Sequence, residues 1–221
     1  MSGRILAIGD IHGCDVALDV LLSNLAIAQE DTVVVLGDVI DRGPNTRRCI
    51  ELLLRLREAC QLVLILGNHE EMLFDALLEG DYLLQAWLGF GGHEMLQSYG
   101  GRVDQTPADH FRFLESAVPY WESDTHIFVH ASLEPNRKLE RQTSRWLRWT
   151  RVVGDEPPHP SGKTVVCGHS AQENGFPLVW DGWICIDTWA YGGGWLTCLN
   201  LETGEFVQSH QSGMFRTGFS I

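Results

Sequence analysis

Along the first third of this chain, short unbroken apolar runs alternate with segments whose apolar residues recur every three or four positions. Residues 4–8 (RILAI), 32–36 (TVVVL) and 62–66 (LVLIL) are short and rich in branched aliphatics, and they predict strands. Residues 14–28 carry Val16, Leu18, Val20, Leu21, Leu22 and Leu25, and residues 47–59 carry Ile50, Leu53, Leu54 and Arg57; both spacings predict helices. Continuous apolar strands separated by helices suit a parallel sheet covered on both faces. The βαβαβ order therefore predicts an α/β layered fold.

From residue 70 to about 119 the pattern is mostly helical, broken at FGGHE (90–94) and YGGR (99–102). Strands return at 126–129 (HIFV), 164–167 (TVVC), 177–180 (PLVW) and 183–186 (WICI), and WLTCLNLETGEFVQ (195–208) reads as a hairpin turning at 202–204. This strand-rich second half predicts a second sheet facing the first. GDEPPHPSG (154–162) reads as a loop. With no internal repeat, low-complexity stretch or linker, residues 1–221 are expected to form one domain.

Five of the predicted strands end in residues that bind metals. RILAI runs into Gly9-Asp10-Ile11-His12, TVVVL into Gly37-Asp38, LVLIL into Gly67-Asn68-His69, HIFV into His130 and TVVC into Gly168-His169. A lone aspartate after a strand is ordinarily a helix cap or turn residue. Five such endings share the carboxyl edge at which α/β sheets gather ligands. Oxygen and imidazole donors without thiolate suit manganese, iron or zinc. Six donors are too many for one catalytic zinc with an open position. They suit two ions ~3.5–4 Å apart that share a carboxylate, hold a hydroxide and clamp an in-line displacement at phosphorus. Asp38 is the natural bridge, because its strand is expected between those of its partners.

GDIHG, GDVIDRG and GNHE, in this order and with these gaps, resemble the three motifs of the calcineurin-like metallophosphoesterases. The form GDxxDRG…GNHE is similar to the phosphoprotein phosphatase branch, and length and layout are similar to its bacterial and phage serine/threonine phosphatases. VHAS (129–132), CGHS (167–170) and IDTWAYGGG (186–194) resemble the two distal histidine motifs and the closing Asp-Thr turn. The resemblance covers essentially the whole chain. It implies a two-sheet β-sandwich core flanked by helices in four αββα layers. It implies a first ion on Asp10, His12 and Asp38 and a second on Asp38, Asn68, His130 and His169, with manganese as the first choice and iron or zinc as alternatives. His69 would protonate the leaving oxygen, Asp41 would orient its imidazole, and Arg42 and the Trp-x-Arg arginine Arg151 would bind phosphate oxygens. The implied activity is removal of phosphate from phosphoserine and phosphothreonine in proteins. The alternative is symmetrical hydrolysis of diadenosine tetraphosphate, against which the compact chain weighs. Ala131-Ser132 and Trp189 depart from glycines common in the family, and they bear on substrate shape more than on metal binding.

Charge and composition narrow the partners. With 29 acidic and 16 basic residues the net charge is −13, which argues against nucleic acid as a partner. It is compatible with a phosphoprotein or small phosphorylated substrate, because bound cations reverse the local field. No apolar run approaches the ~20 residues of a membrane span, and the N-terminal stretch is too short for a signal peptide. A cytoplasmic protein is expected. Cys14, Cys49, Cys60, Cys167, Cys185 and Cys198 form no Cys-x-x-Cys pair and read as reduced core residues.

Other signals carry less. Gly162-Lys163-Thr164 lacks the upstream glycine of a phosphate loop, and His69-Glu70-Glu71 lacks the second histidine of a metalloprotease. His93, His110, His126, His159 and His210 lack a strand-end context. Arg137, Arg141, Arg145 and Arg148 have helical spacing and predict one solvated helix face. Trp146, Trp149 and Trp189 lie near proposed site residues and are expected to line a pocket.

Overall fold

A computed structural model describes residues 3–220. Met1, Ser2 and Ile221, and with them the ends of the expected domain and the start of the N-terminal reading, lie outside the described residues. The three apolar runs form β1 (Ile5–Ile8), β2 (Thr32–Val35) and β3 (Gln61–Leu64), mutually parallel with β2 in the middle. Helices α1 (Asp15–Asn24) and α2 (Thr46–Ala59) connect them. Asn45 caps α2 by accepting from the Arg48 N–H at 3.1 Å. Side chains alternate along each strand. Leu6, Ile8, Val33 and Val35 accordingly join a core with the helices, whereas Ala7, Val34 and Leu36 join a core between the sheets.

A helical wing follows: α3 (Asn68–Glu79), α4 (Asp81–Trp87), a segment at Leu88–Gly92 kinked at Gly91, α5 (His93–Ser98) and α6 (Ala108–Glu115). Then β4 (Trp121–Glu122), β5 (His126–Phe128), β6 (Thr164–Cys167), β7 (Leu178–Trp180) and β8 (Trp183–Cys185) make a second, five-stranded sheet in the order β4-β5-β6-β8-β7. Phe128, Val166 and Ile184 from this sheet meet Ala7, Val34 and Leu36 from the first.

The last strands are β9 (Asp187–Thr188), β10 (Trp195–Asn200), β11 (Glu205–Ser209) and β12 (Phe215–Ser220). They correct one expectation. The hairpin does not join the second sheet: β10 pairs antiparallel with β1, giving the order β12-β11-β10-β1-β2-β3 with β9 also on β10. β1 would otherwise present an unpaired backbone edge, and β10 covers it. β12 has no alternation of apolar and polar residues, and Gly218 stands at φ 102 beside a register shift.

The arginine-rich segment gives a second correction. Residues 137–148 form no α-helix, only a 3-10 turn at Leu139–Arg141 and a π-helical turn at Arg145–Trp149, with Gln142 extended between them. The four arginines therefore do not share one helix. Leu139 and Leu147 of this stretch, with Leu133 and Val152 flanking it, cover the outer face of the second sheet. The result is a two-sheet α/β sandwich with helices over the first sheet. No described helix is long and apolar enough to cross a membrane.

Candidate active site

The carboxyl ends of β1, β2 and β3 in one sheet and of β5 and β6 in the other converge. Ile11 and His12 N–H both donate to Asp38 O, at 3.1 and 2.8 Å, which ties the first strand end to the second. Gly168 N–H donates to His130 O at 2.8 Å, tying the other two. Gly9 is required by close approach: a Cβ there would stand 2.6 Å from Ile186 O. Among the described residues, six of the eight non-glycine residues with positive φ cluster here: His12, Asp38, Asp41, Arg42, His169 and Trp189, at φ 44–71. Such conformations cost of order 1–3 kcal/mol each, and they persist where the surroundings over-determine them.

Asp38 is the hinge of the arrangement. Its Oδ2 lies 3.5 Å from His12 Nε2 and 3.5 Å from His130 Nε2. Ligand atoms of His12, Asp38 and His69 lie within 4.8 Å of one another, and so do those of Asp38, His130 and His169. Asn68 Oδ1 is 3.0 Å from His130 Nε2. Asp10 lies outside both triplets. Its two oxygens accept from the His169 N–H at 3.2 and 3.0 Å.

Backbone carbonyls choose the ring nitrogen each histidine offers. His12 Nδ1 is 3.0 Å from Ile40 O and His130 Nδ1 is 2.8 Å from Leu36 O, which leaves both Nε2 atoms toward Asp38. His169 turns the other way, with Nε2 3.3 Å from Trp149 O. Burial pushes the Asp38 carboxyl up to about 7 and the Asp187 carboxyl up to about 6. Burial, then Asp187 and Asp38, raise Asp10. Burial lowers His130 to about 4 and His169 to about 3, and with Arg42 it holds His12 well down. Crowded carboxylates and neutral imidazoles, without a thiol among them, are the donor set a divalent cation takes.

His69 Nδ1 lies 2.7 Å from Asp41 Oδ2. Burial, then His12 and Arg42, push the His69 imidazole far down, and its Nε2 is buried with no protein partner. Arg42 Nη1 donates to His12 Nε2 at 3.0 Å, and its guanidinium lies 4.5 Å from the centre of the Tyr191 ring. Arg42, Phe90, His93, Glu94 and Tyr191 line an open cavity of about 400 Å³ beside this end of the site. Arg151 stands exposed at the rim, where its charge acts on His169 and Asp187. Trp149 Nε1 donates to Glu71 Oε2 at 2.5 Å, and Arg148 pairs with Glu71.

Two residues escaped the sequence reading. Glu70, fully buried, accepts from the N–H groups of Asp38, Val39 and Gly67 at 3.0, 2.8 and 3.1 Å and so shapes two of the loops. Its place in GNHE was the available signal. Trp87, 1% exposed, donates from Nε1 to Asp41 Oδ2 at 2.9 Å. Its signal was the paired glycines that follow at 91 and 92. The five histidines set aside earlier each lie beside a local group: Gln97, Tyr99, Thr125, Ser161 and Ser212.

Residues 3–194 match the family model of the calcineurin-like phosphoesterases. A serine/threonine-protein phosphatase 1 of Salmonella typhimurium is 39% identical over 137 residues, 58% of each chain. A symmetrical bis(5'-nucleosyl)-tetraphosphatase of Neisseria gonorrhoeae is 37% identical over 184 residues, 79% of this chain and 57% of the relative. The chain thus spans a little under three fifths of the length of these curated relatives. A crystal structure provisionally named a diadenosine tetraphosphatase superposes with a TM-score of 0.70 at 22% identity, over 99% of this chain and 94% of the other, which is a likeness of fold. With the family model spanning the converging strand ends and the five loops that carry the candidate ligands, the chain belongs to the calcineurin-like phosphoesterase family.

Proposed function

We propose that this chain is a two-metal phosphoester hydrolase and that dinucleoside tetraphosphates are its first substrate class. The observation that carries the hydrolase reading is Asp38, one carboxylate oxygen equidistant from two histidines and shared by two ligand triplets. In this reading Asp10, His12 and Asp38 hold one ion. Asp38, Asn68, His130 and His169 hold the other, with manganese as the first candidate and iron or zinc next. When bound, such ions lower the pKa of a water and neutralise charge on phosphate oxygens. The protein's own groups do the rest. Arg42 and Arg151 hold phosphate oxygens, and guanidinium forks match their geometry. Asp41 orients the His69 ring. A phosphate dianion beside the ring opposes the burial, and after it the Arg42 charge, that depress His69, so the ring can carry the proton that Nε2 delivers to the leaving oxygen as the P–O bond breaks.

Two observations favour the dinucleotide. The match to the Neisseria tetraphosphatase extends over 79% of this chain. The cavity beside Arg42 offers Phe90 and Tyr191, 58% and 38% exposed, as faces on which a nucleobase can stack. The second reading is a protein phosphatase for phosphoserine and phosphothreonine, favoured by the 39% identity to the Salmonella enzyme.

The test loads the purified protein with manganese and compares diadenosine tetraphosphate, a phosphopeptide panel and p-nitrophenyl phosphate. His69→Asn and Asp38→Asn serve as controls. Dinucleotide cleavage at least ~10-fold faster than any phosphopeptide, a difference of about 1.4 kcal/mol in the barrier, supports the first reading. The reverse order replaces it with the second. No turnover of any substrate with manganese, iron or zinc overturns the hydrolase reading and leaves a binding scaffold.

A further inference from the structure

The proton-delivering pair has a third member that sequence alone does not single out. Asp41 is fully buried, and both of its side-chain hydrogen bonds fall on one oxygen. Oδ2 accepts from His69 Nδ1 at 2.7 Å and from Trp87 Nε1 at 2.9 Å, while Oδ1 is buried without a partner among the described residues. A carboxylate held by one histidine alone can rotate about its Cβ–Cγ bond and offer either oxygen. The indole N–H removes that freedom by fixing which oxygen, and which plane, meets the imidazole.

The indole is itself fixed. Trp87 ends α4, and the chain then runs through Leu88–Gly92, which kinks at Gly91. A Cβ at Gly92 would land on the indole. At Gly91, where φ is 115, a Cβ would come within 2.6 Å of the Arg42 nitrogen, whose N–H donates to Gly91 O at 3.1 Å. The kink at Gly91 rests two glycines on the Asp41-Arg42 loop and on the ring that holds Asp41.

We propose that Trp87 is a positioning residue: through Asp41 Oδ2 it sets the plane of the His69 ring, and the Gly91-Gly92 turn holds it in place. The proposal rests on the reading of His69 as proton donor to the leaving oxygen. A mispositioned donor hurts most where the leaving group most needs a proton. Trp87→Phe keeps a ring in the core and removes the N–H. With the manganese-loaded variant, kcat for p-nitrophenyl phosphate should stay within about threefold of wild type. For phenyl phosphate it should fall further, and for the alkyl ester phosphoserine it should fall about 100-fold, the lower end of a general acid's contribution. KM should hold throughout. Gly92→Ala, which keeps the indole N–H but displaces the ring, should show the same graded loss, and it provides the test if the phenylalanine protein folds poorly. An equal loss across the three leaving groups, or no loss, would overturn the assignment in favour of plain packing.

A readout without turnover separates this proposal from the functional reading. Crystal structures of the metal-free proteins should show one Asp41 carboxylate plane and one His69 ring orientation in the wild type, and a rotated carboxylate with a displaced His69 ring in Trp87→Phe. Identical orientations in both proteins would overturn the positioning role. A wild-type protein inert toward every phosphoester, yet showing this displacement on substitution, would remove the hydrolase reading and leave the Trp87–Asp41–His69 linkage standing.

Discussion

One methyl group added at Gly9 asks how closely the end of the first strand is fitted against the second sheet. A Cβ there would stand 2.6 Å from the carbonyl oxygen of Ile186 and 3.2 Å from its carbonyl carbon. Both are backbone atoms, so no rotamer can relieve the overlap. Ordinary contact begins at 3.4 Å, and the two segments must part by about 0.8 Å. The strain runs directly into the sheet, because the Gly9 N–H donates to Thr197 O at 3.0 Å. Overpacking of this kind costs about 1–3 kcal/mol. Asp10 follows by one residue, and a displacement of that size exceeds the ~0.5 Å tolerance of a preorganised site. Turnover at saturating manganese should fall by up to ~100-fold, the penalty expected of a misplacement near 1 Å. Urea unfolding of metal-free Gly9→Ala measures the first effect, and manganese titration with p-nitrophenyl phosphate measures the second. Gly89→Ala is the companion in the unfolding assay. Nothing lies within 4 Å of its added methyl, and its stability should match wild type or exceed it by up to about 1 kcal/mol. A Gly9→Ala protein with the wild-type urea midpoint and manganese response would refute the reasoning, since the strand end would then possess slack that the backbone distances deny.

Two further outcomes are expected. Trp189 sits at φ 66, ψ 42, with its ring over Gly192; Trp189→Val gives a β-branched residue the same left-handed backbone without the ring, and it should lose at least ~2 kcal/mol in urea unfolding, whereas Trp189→Gly should lose less than the valine variant, and a reversed order would sink the strain argument. The Arg4 guanidinium, aided by the N–H groups of Ala28 and Arg4, holds the Asp31 carboxyl down at about 2; with the folded value below the unfolded ~3.9, the pair stabilises fully above that pH and fades as pH falls toward 2, so Asp31→Asn should cost about 1–2 kcal/mol at pH 7 after allowing for solvent screening at Arg4, and the gap in urea midpoints should narrow below pH ~4, a gap independent of pH counting against the ion pair.

What the sequence disclosed follows from how local each signal is. Five of the six candidate ligands sit one or two residues past an apolar run, so Asp10, Asp38, Asn68, His130 and His169 could be placed at strand ends from short windows. The partners of Asp41 and Asp38 could not. Trp87 lies 46 residues from Asp41, and Glu70 lies 32 from Asp38, and neither window records the other. The hairpin at Trp195–Ser209 was legible as two strands and a turn, while its sheet was not, because strand pairing depends on which edge is open in three dimensions. The arginines after Asn136 carried a helical spacing without an apolar stripe to bury. The chain there answers to Leu139 and Leu147, which dock on the second sheet, and the turns between them take whatever shape that docking allows.

The loops that converge at the site issue from both sheets, and the layer between those sheets therefore acts as a shim. Its thickness sets how far His130 and His169 stand from Asp10, His12 and Asp38, and the core of that layer is an apolar cluster of Ala7, Val34, Leu36, Ile65, Phe128, Val166, Ile184, Ile186, Leu199 and Phe206. Apolar contact fixes a spacing through volume and carries no directional bond to correct an error. A single methylene gained or lost in this layer can retune the centre while every polar group around it keeps its identity. In a protein built this way, catalytic competence can diverge between relatives at positions that touch neither metal nor substrate.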